Sequence, residues 1–129
     1  MDGLTLQQIA KDSALQLPAT ALVHPFGPEW DVFKVSGKIF MIHTELNGEL
    51  IAILKARPED SRALRDAFAD ISPGYHMNKE HWITLHPGGN LDSEFVEDLV
   101  TESYLLVIEK SLPKARWPVD PFTYGQEIH

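Results

Sequence analysis

The chain has 129 residues, 43% of them hydrophobic and 23% charged, a make-up that excludes intrinsic disorder and fits one compact domain spanning residues 1–129. Eleven Lys and Arg stand against 19 Asp and Glu, a formal charge of −8, so a whole-surface attraction to nucleic acid or anionic membrane is excluded and any such contact must be local. There is no cysteine, which removes disulfides, thiolate nucleophiles and zinc ribbons.

The N-terminus begins acidic and carries Lys11 and Asp12 inside its apolar pattern, unlike the basic start and unbroken apolar core of an export signal. The longest apolar runs, Leu50 to Leu54 and Leu105 to Ile108, hold five and four residues, far short of the roughly 20 that a membrane helix needs. A cytoplasmic, soluble protein is expected. Leu4 to Leu17 predicts a first helix with Leu4, Ile9, Leu15 and Leu17 as a thin apolar stripe, ended by Pro18. Pro25, Gly27 and Pro28 then impose an irregular connection.

From Asp31 to Lys55 the pattern changes to period two, interrupted by Ser36-Gly37 and Asn47-Gly48, and predicts a three-stranded meander. Asn-Gly suits a type I′ turn, in which both central residues need positive φ. In the middle strand Phe40, Ile42, Thr44 and Leu46 are expected to face the core. His43 then points to solvent or an edge. Pro58, Glu59 and Asp60 open a second helix, with Leu64, Ala67, Phe68 and Ile71 at helical spacing and Arg62 one turn from Asp66. A fourth strand is expected at about Trp82 to His86, closed by Gly88-Gly89. Asp92 caps a last helix that runs to about Leu112, with Phe95, Leu99, Val100, Leu106 and Val107 as its apolar face and Ser103 allowing close packing on it. The tail from Lys114 carries Trp117, Phe122 and Tyr124, and is expected to lie over the domain's apolar surface, the alternative being a partner-binding or dimer-swapping arm.

The runs PFGPEWDVFKVSGKIFMI, HMNKEHWITL and ESYLLVIEKSLPK, in this order, resemble the MmcQ/YjbR family of small bacterial proteins over about Leu17 to Lys114. The resemblance implies an α+β fold of the CyaY-like kind, a two-layer sandwich with helices on one face of an antiparallel sheet and two protruding hairpins described as a double wing. It also implies DNA binding, a label that family members commonly carry. Two features bear on that label. The last helix, from Asp92 to Glu109, carries six acidic residues and no basic one, whereas residues 32–58 hold Lys34, Lys38, Lys55 and Arg57 against Glu45 and Glu49.

The densest polar group is His76, Asn78, Lys79, His81 and Trp82. In an exposed loop Lys79 meets a phosphate as a point charge, Trp82 stacks on a base and Asn78 supplies amide hydrogen bonds. The structural alternative is that Asn78 caps a turn, Trp82 sits in the core and Lys79 is solvated. Lys34 and Lys38 flank the Ser36-Gly37 turn as the tip of a basic wing, or else guard an edge against aggregation. His76, His81 and His86 recur every five residues, which fits one face of neither helix nor strand, so no metal is expected. No serine elbow or phosphate-binding loop is present, and no catalysis or cofactor is expected. The reading is a weak, salt-sensitive DNA contact through Lys34, Lys38, Lys79, His81 and Trp82. The alternative is a module for a small planar ligand or a protein partner, walled by Trp82, Tyr75 and His81.

Overall fold

The computed structural model describes residues 1–125. Along the chain come helix α1 (Gly3–Leu15), strands β1 (Thr20–Val23), β2 (Asp31–Val35), β3 (Lys38–Leu46) and β4 (Glu49–Lys55), helix α2 (Pro58–Ala67), strands β5 (Ile71–Pro73) and β6 (Trp82–Leu85), and helix α3 (Ser93–Ser111). The strands form one antiparallel sheet in the order β1-β2-β3-β4-β6-β5, and α1 and α3 pack on each other and on its centre. This is an α+β fold. No helix among the described residues is long and apolar enough to cross a membrane.

The expected meander is β2-β3-β4, closed by two turns in which both residues have positive φ: Ser36 and Gly37 at 45° and 85°, Asn47 and Gly48 at 53° and 82°. In a meander these two tips lie at opposite ends of the sheet. Two strands escape the sequence pattern. Thr20–Val23 is four residues and Ile71–Pro73 three, too short to show a period, and pairing with β2 and β6 makes them strands. Because β1 lies outside β2, Lys34 and Lys38 sit on interior strands, and edge protection does not account for them.

The faces of β3 differ from expectation. Phe33 pairs with Met41 but Lys34 pairs with Ile39, so Phe40 is an extra residue, a bulge in β3. The bulge sends Phe40 and Met41 both into the helix-side core. Beyond it His43 also lies on that side, 2% exposed, with its ring 4.8 Å from Phe33. Ile42 belongs instead to a second apolar cluster on the opposite face, with Val32, Ile51, Ile53 and the partly buried Leu46. Simple alternation failed here because both faces of the sheet are covered along the middle of β3, where Phe40 to Thr44 are all buried.

The stripe of α1 is also not the expected one. Leu6, Ala10 and Ala14 are buried, while Leu4 and Leu15 are 69% and 43% exposed. Alanines at this spacing let α1 approach α3 closely, a role that a search for large apolar residues passes over. Helix α2 stops at Ala67. Phe68 is already extended, with its ring 4.9 Å from Phe95, and Ile71 belongs to β5 rather than to a helical face. Among the described residues the ion pairs do not include Arg62 with Asp66.

Asp92 caps α3, accepting from Phe95 N–H at 2.8 Å. From this helix Ser103 reaches the sheet: its Oγ accepts from Lys55 N–H at 2.8 Å and donates to Phe40 C=O at 2.6 Å. In the register of β3 with β4, Phe40 would stand opposite Lys55. The hydroxyl thus joins two backbone groups that the bulge keeps from bonding to each other. Next to it Tyr104 is buried, its ring edge-on to Phe40 and its hydroxyl donating to Pro18 C=O at 2.7 Å.

After α3 the chain makes a short 3-10 turn (Lys114–Arg116) and folds back on the domain. Trp117, Val119 and Tyr124 pack on the core, Trp117 Nε1 donates to Leu112 C=O at 3.0 Å, and Arg116 donates to Ser36 C=O at 3.2 Å. The tail therefore covers apolar surface as far as Gly125. Residues 126–129 lie outside the described residues.

Ser103→Ala leaves a buried N–H and a buried C=O without partners, at about 1–3 kcal/mol for such a group. Urea unfolding is expected to show a loss of about 2–4 kcal/mol; a loss below about 0.5 kcal/mol would mean that the bulge does not need the hydroxyl. His43 gives a pH-dependent prediction. Its Nε2 has no hydrogen-bond partner, and burial holds its pKa down from 6.5 to about 3, against Asp31 and with a small contribution from Lys11. The unfolded chain takes up this proton below about pH 6.5 and the folded chain does not. Stability is thus intact above that pH and falls by about 1.4 kcal/mol per unit as pH drops toward the folded value. His43→Leu removes this slope, so its stability relative to wild type should improve by about 2.5 kcal/mol between pH 7.5 and 4.5. Parallel stability–pH curves would show that His43 does not carry the effect.

Candidate functional site

The residues singled out from the sequence fall into two groups. Asn78, Lys79 and their neighbours organise the connection between β5 and β6. Asn78 Oδ1 accepts from Glu80 N–H at 2.9 Å and from His81 N–H at 3.2 Å, an Asx turn, and Lys79 Nζ donates to Gly74 C=O. Gly74 packs so tightly under Trp82 that an added Cβ would lie 2.5 Å from the Trp82 Cβ. His76 is exposed with φ 58°, its ring 4.1 Å from Tyr75. Tyr75 in turn stacks on Trp30, with centroids 6.3 Å apart and planes 8° from parallel. Tyr75, Met77, Trp82 and Trp30 are half-buried over Val32, Ile42, Ile51 and Ile53. These aromatic residues roof the second face of the sheet.

Lys34, Lys38 and His81 form the other group, at one end of the sheet. Lys34 on β2 pairs with Ile39 on β3, and Lys55 on β4 pairs with Trp82 on β6. This makes a row across four strands, with Lys55 Nζ 5.8 Å from the centre of the Trp82 ring. Strand spacing puts the Lys34 and Lys55 backbones about 10 Å apart. Lys38 is exposed at the hairpin. Arg116 is tied to Ser36 in the same hairpin, Lys114 lies over Trp117, and Arg57 and Lys110 flank Lys55 at the end of α3. The sequence reading did not choose these last residues. Lys110, Lys114 and Arg116 are distant in the chain from Lys34, and only the docking of α3 and the tail brings them together.

Seven of the eleven basic residues, Lys34, Lys38, Lys55, Arg57, Lys110, Lys114 and Arg116, thus share one end of a chain with net charge −8. Glu109 is held between Arg57 and Lys110, at 2.7 Å and 3.0 Å, and its pKa is lowered by its bonds to Lys110 and Arg57 despite partial burial. Burial and the nearby Lys110 lower the Lys55 pKa. Among the described residues no carboxylate bridges Lys55.

Two cavities meet at Lys55. The larger, about 550 Å³, lies between α2 and α3 with Pro121, Phe122 and Tyr124 of the tail as a further wall. The smaller, about 350 Å³, runs past Arg57 to His81 and Lys110. A third, of about 290 Å³, lies at the far end between Gln7, Asp31, His43 and Glu45. His86, the last of the regularly spaced histidines, is engaged by Ser72 at 2.7 Å and Glu49 at 2.6 Å.

Known proteins extend this picture. The YjbR family model matches residues 15–106. The uncharacterised protein YbdF of Escherichia coli O157:H7 is 45% identical over 109 residues, 84% of this chain and 89% of its own length. The uncharacterised protein YjbR of Escherichia coli K12 is 34% identical over 71 residues, 55% of this chain and 60% of its own. The crystal structure of the Deinococcus radiodurans protein DR2400, with a DUF419 domain, superposes with a TM-score of 0.79 at 33% identity and covers 92% of both chains.

Proposed function

The chain belongs to the YjbR family, and we propose that it acts without catalysis, as a weak nucleic-acid-binding module that uses the basic end of its sheet. The observation that carries this reading is the gathering of seven cations at one end of an otherwise acidic chain. Lys34 and Lys38 stand on interior strands, where a defence of the sheet edge supplies no reason for them. They and Arg116 would meet phosphates directly. Lys79 and Asn78 are occupied with loop backbone, so their contribution is to hold the loop that presents His81. Trp82 is half-buried over the second apolar cluster with Lys55 Nζ over its ring, which leaves it less free surface for stacking than an exposed aromatic residue has.

Such a surface binds through few phosphates, and each one adds roughly 0.9 to the slope of log affinity against log salt. With two to four contacts, the affinity should fall roughly 10- to 150-fold between about 50 and 200 mM salt. Fluorescence anisotropy of labelled single- and double-stranded DNA measures this. Lys38→Glu and Arg116→Glu are each expected to weaken binding at the lower salt by about tenfold, and Lys79→Gln by much less. Absence of binding at the lower salt, or indifference to both charge reversals, would remove nucleic acid from this surface.

A further inference from the structure

We propose that the outer edge of β1 is an interface between two copies of this chain, which join antiparallel about a two-fold axis at Ala21 and continue the sheet from one copy into the other. This goes beyond the nucleic-acid reading and does not rest on it.

The two edges of the sheet differ in what they leave unpaired. Ser36 N–H donates to Ala19 C=O at 3.0 Å, one step beyond the pairing of Thr20 with Val35. The alternation of an antiparallel ladder then turns the N–H and C=O of Ala21 and Val23 toward β2, and those of Thr20 and Leu22 outward. Among the described residues no other segment bonds these outward groups. The β5 edge is closed. Gly74 N–H donates to Trp82 C=O and His86 N–H to Asp70 C=O, so the outward residues of β5 are Ile71 and Pro73. Ile71 N–H is turned back to Phe68 C=O at 3.1 Å, and proline has no N–H to give. A further strand thus finds donors on β1 and none on β5.

A second β1 fits this edge. With Ala21 on the axis, Thr20 stands opposite the partner's Leu22 and Leu22 opposite the partner's Thr20, and each pair exchanges both its N–H···O=C bonds. A slip that sets Leu22 against the partner's Pro18 loses a donor. Charge favours the same occupant. Ser13 to Pro28 holds no Lys, Arg, Asp or Glu, the longest such stretch in a chain of net charge −8, so two copies meeting along β1 bring no like charges into contact. The nearest cation is Lys34, opposite Ala21 on β2. It stands three strand spacings, about 14 Å, from the partner's Lys34, farther than the Debye length of roughly 8 Å at physiological salt. Antiparallel pairing also runs the segment after β1 beside the partner's segment before it. This brings Phe26, 58% exposed, toward the partner's Leu15, which is 43% exposed at the end of α1.

Few residues meet, so the dimer is weak, with a Kd of about 100 µM. Sedimentation equilibrium of the full chain from about 1 µM to 1 mM, at about 0.15 M salt, should show monomer giving way to dimer. Amide hydrogen exchange locates the contact: Thr20 and Leu22 should exchange about threefold more slowly at 1 mM than at about 50 µM. Ala21 is exposed, so Ala21→Lys leaves the monomer folded, as its urea midpoint will show. Across the axis it sets two cations side by side and should weaken the dimer about tenfold. An equimolar mixture of the Ala21→Lys and Ala21→Glu variants should regain association, because opposite charges then face each other. A chain still monomeric at 1 mM would overturn the proposal and leave the edge to an extended peptide of another protein. So would a dimer that Ala21→Lys leaves unchanged, a mixture that associates no more than Ala21→Lys alone, or a dimer in which Thr20 and Leu22 exchange at the same rate at both concentrations.

Discussion

The bulge at Phe40 and the hydroxyl that satisfies it govern how this fold is assembled. An extra residue in a central strand leaves one C=O and one N–H unpaired in the middle of a protein, where neither can reach water. Ser103 answers both from α3 with bonds of 2.6 and 2.8 Å. That fixes the height of α3 over β3 and β4 to within hydrogen-bond tolerance, and it explains why a small polar side chain lies on the apolar face of a buried helix. One residue of the basic end is tied to it directly. Lys55 leaves the sheet at the residue whose N–H Ser103 holds, and the groove between α2 and α3 begins there.

The sheet has no solvent face in the usual sense. Helices α1 and α3 cover one side, and the connections around Trp30 and Tyr75 cover the other. This arrangement changes the meaning of the aromatic and polar residues before β6. Trp82, Tyr75 and Met77 cover the second apolar cluster, while Asn78 and Lys79 close the loop by bonding its own backbone. A polar cluster in sequence is here the means of folding a connection over an apolar surface without a second helical layer.

The parts of the fold legible in sequence were those written in local chemistry. The turn at Asn47-Gly48 needs positive φ at both positions, and Asp92 needs only the N–H of Phe95 three residues on. What was not legible depended on long-range partners. His43 looked outward because strict alternation was assumed, and a one-residue bulge shifts every later side chain to the other face. Strands β1 and β5 are strands only because β2 and β6 lie beside them. The candidate site divides in the same way. Lys34 and Lys38 could be read from the turn they flank, whereas Lys110 and Arg116 join them only through the return of α3 and the tail.

The charge arrangement sets two fields of opposite sign against each other. Near the basic end an approaching phosphate meets several cations within about one Debye length, roughly 8–10 Å at physiological salt. Farther out it meets the net charge of −8, to which Glu94, Glu97, Asp98 and Glu102 on α3 contribute from exposed positions. Lowering the salt strengthens the local attraction, but it also extends the reach of the repulsion. The salt dependence of a polyanion should therefore be shallower at low ionic strength than counterion release alone gives. A single basic end can in this way favour short, local anionic contacts while the rest of the surface discourages long polyanions from wrapping the protein.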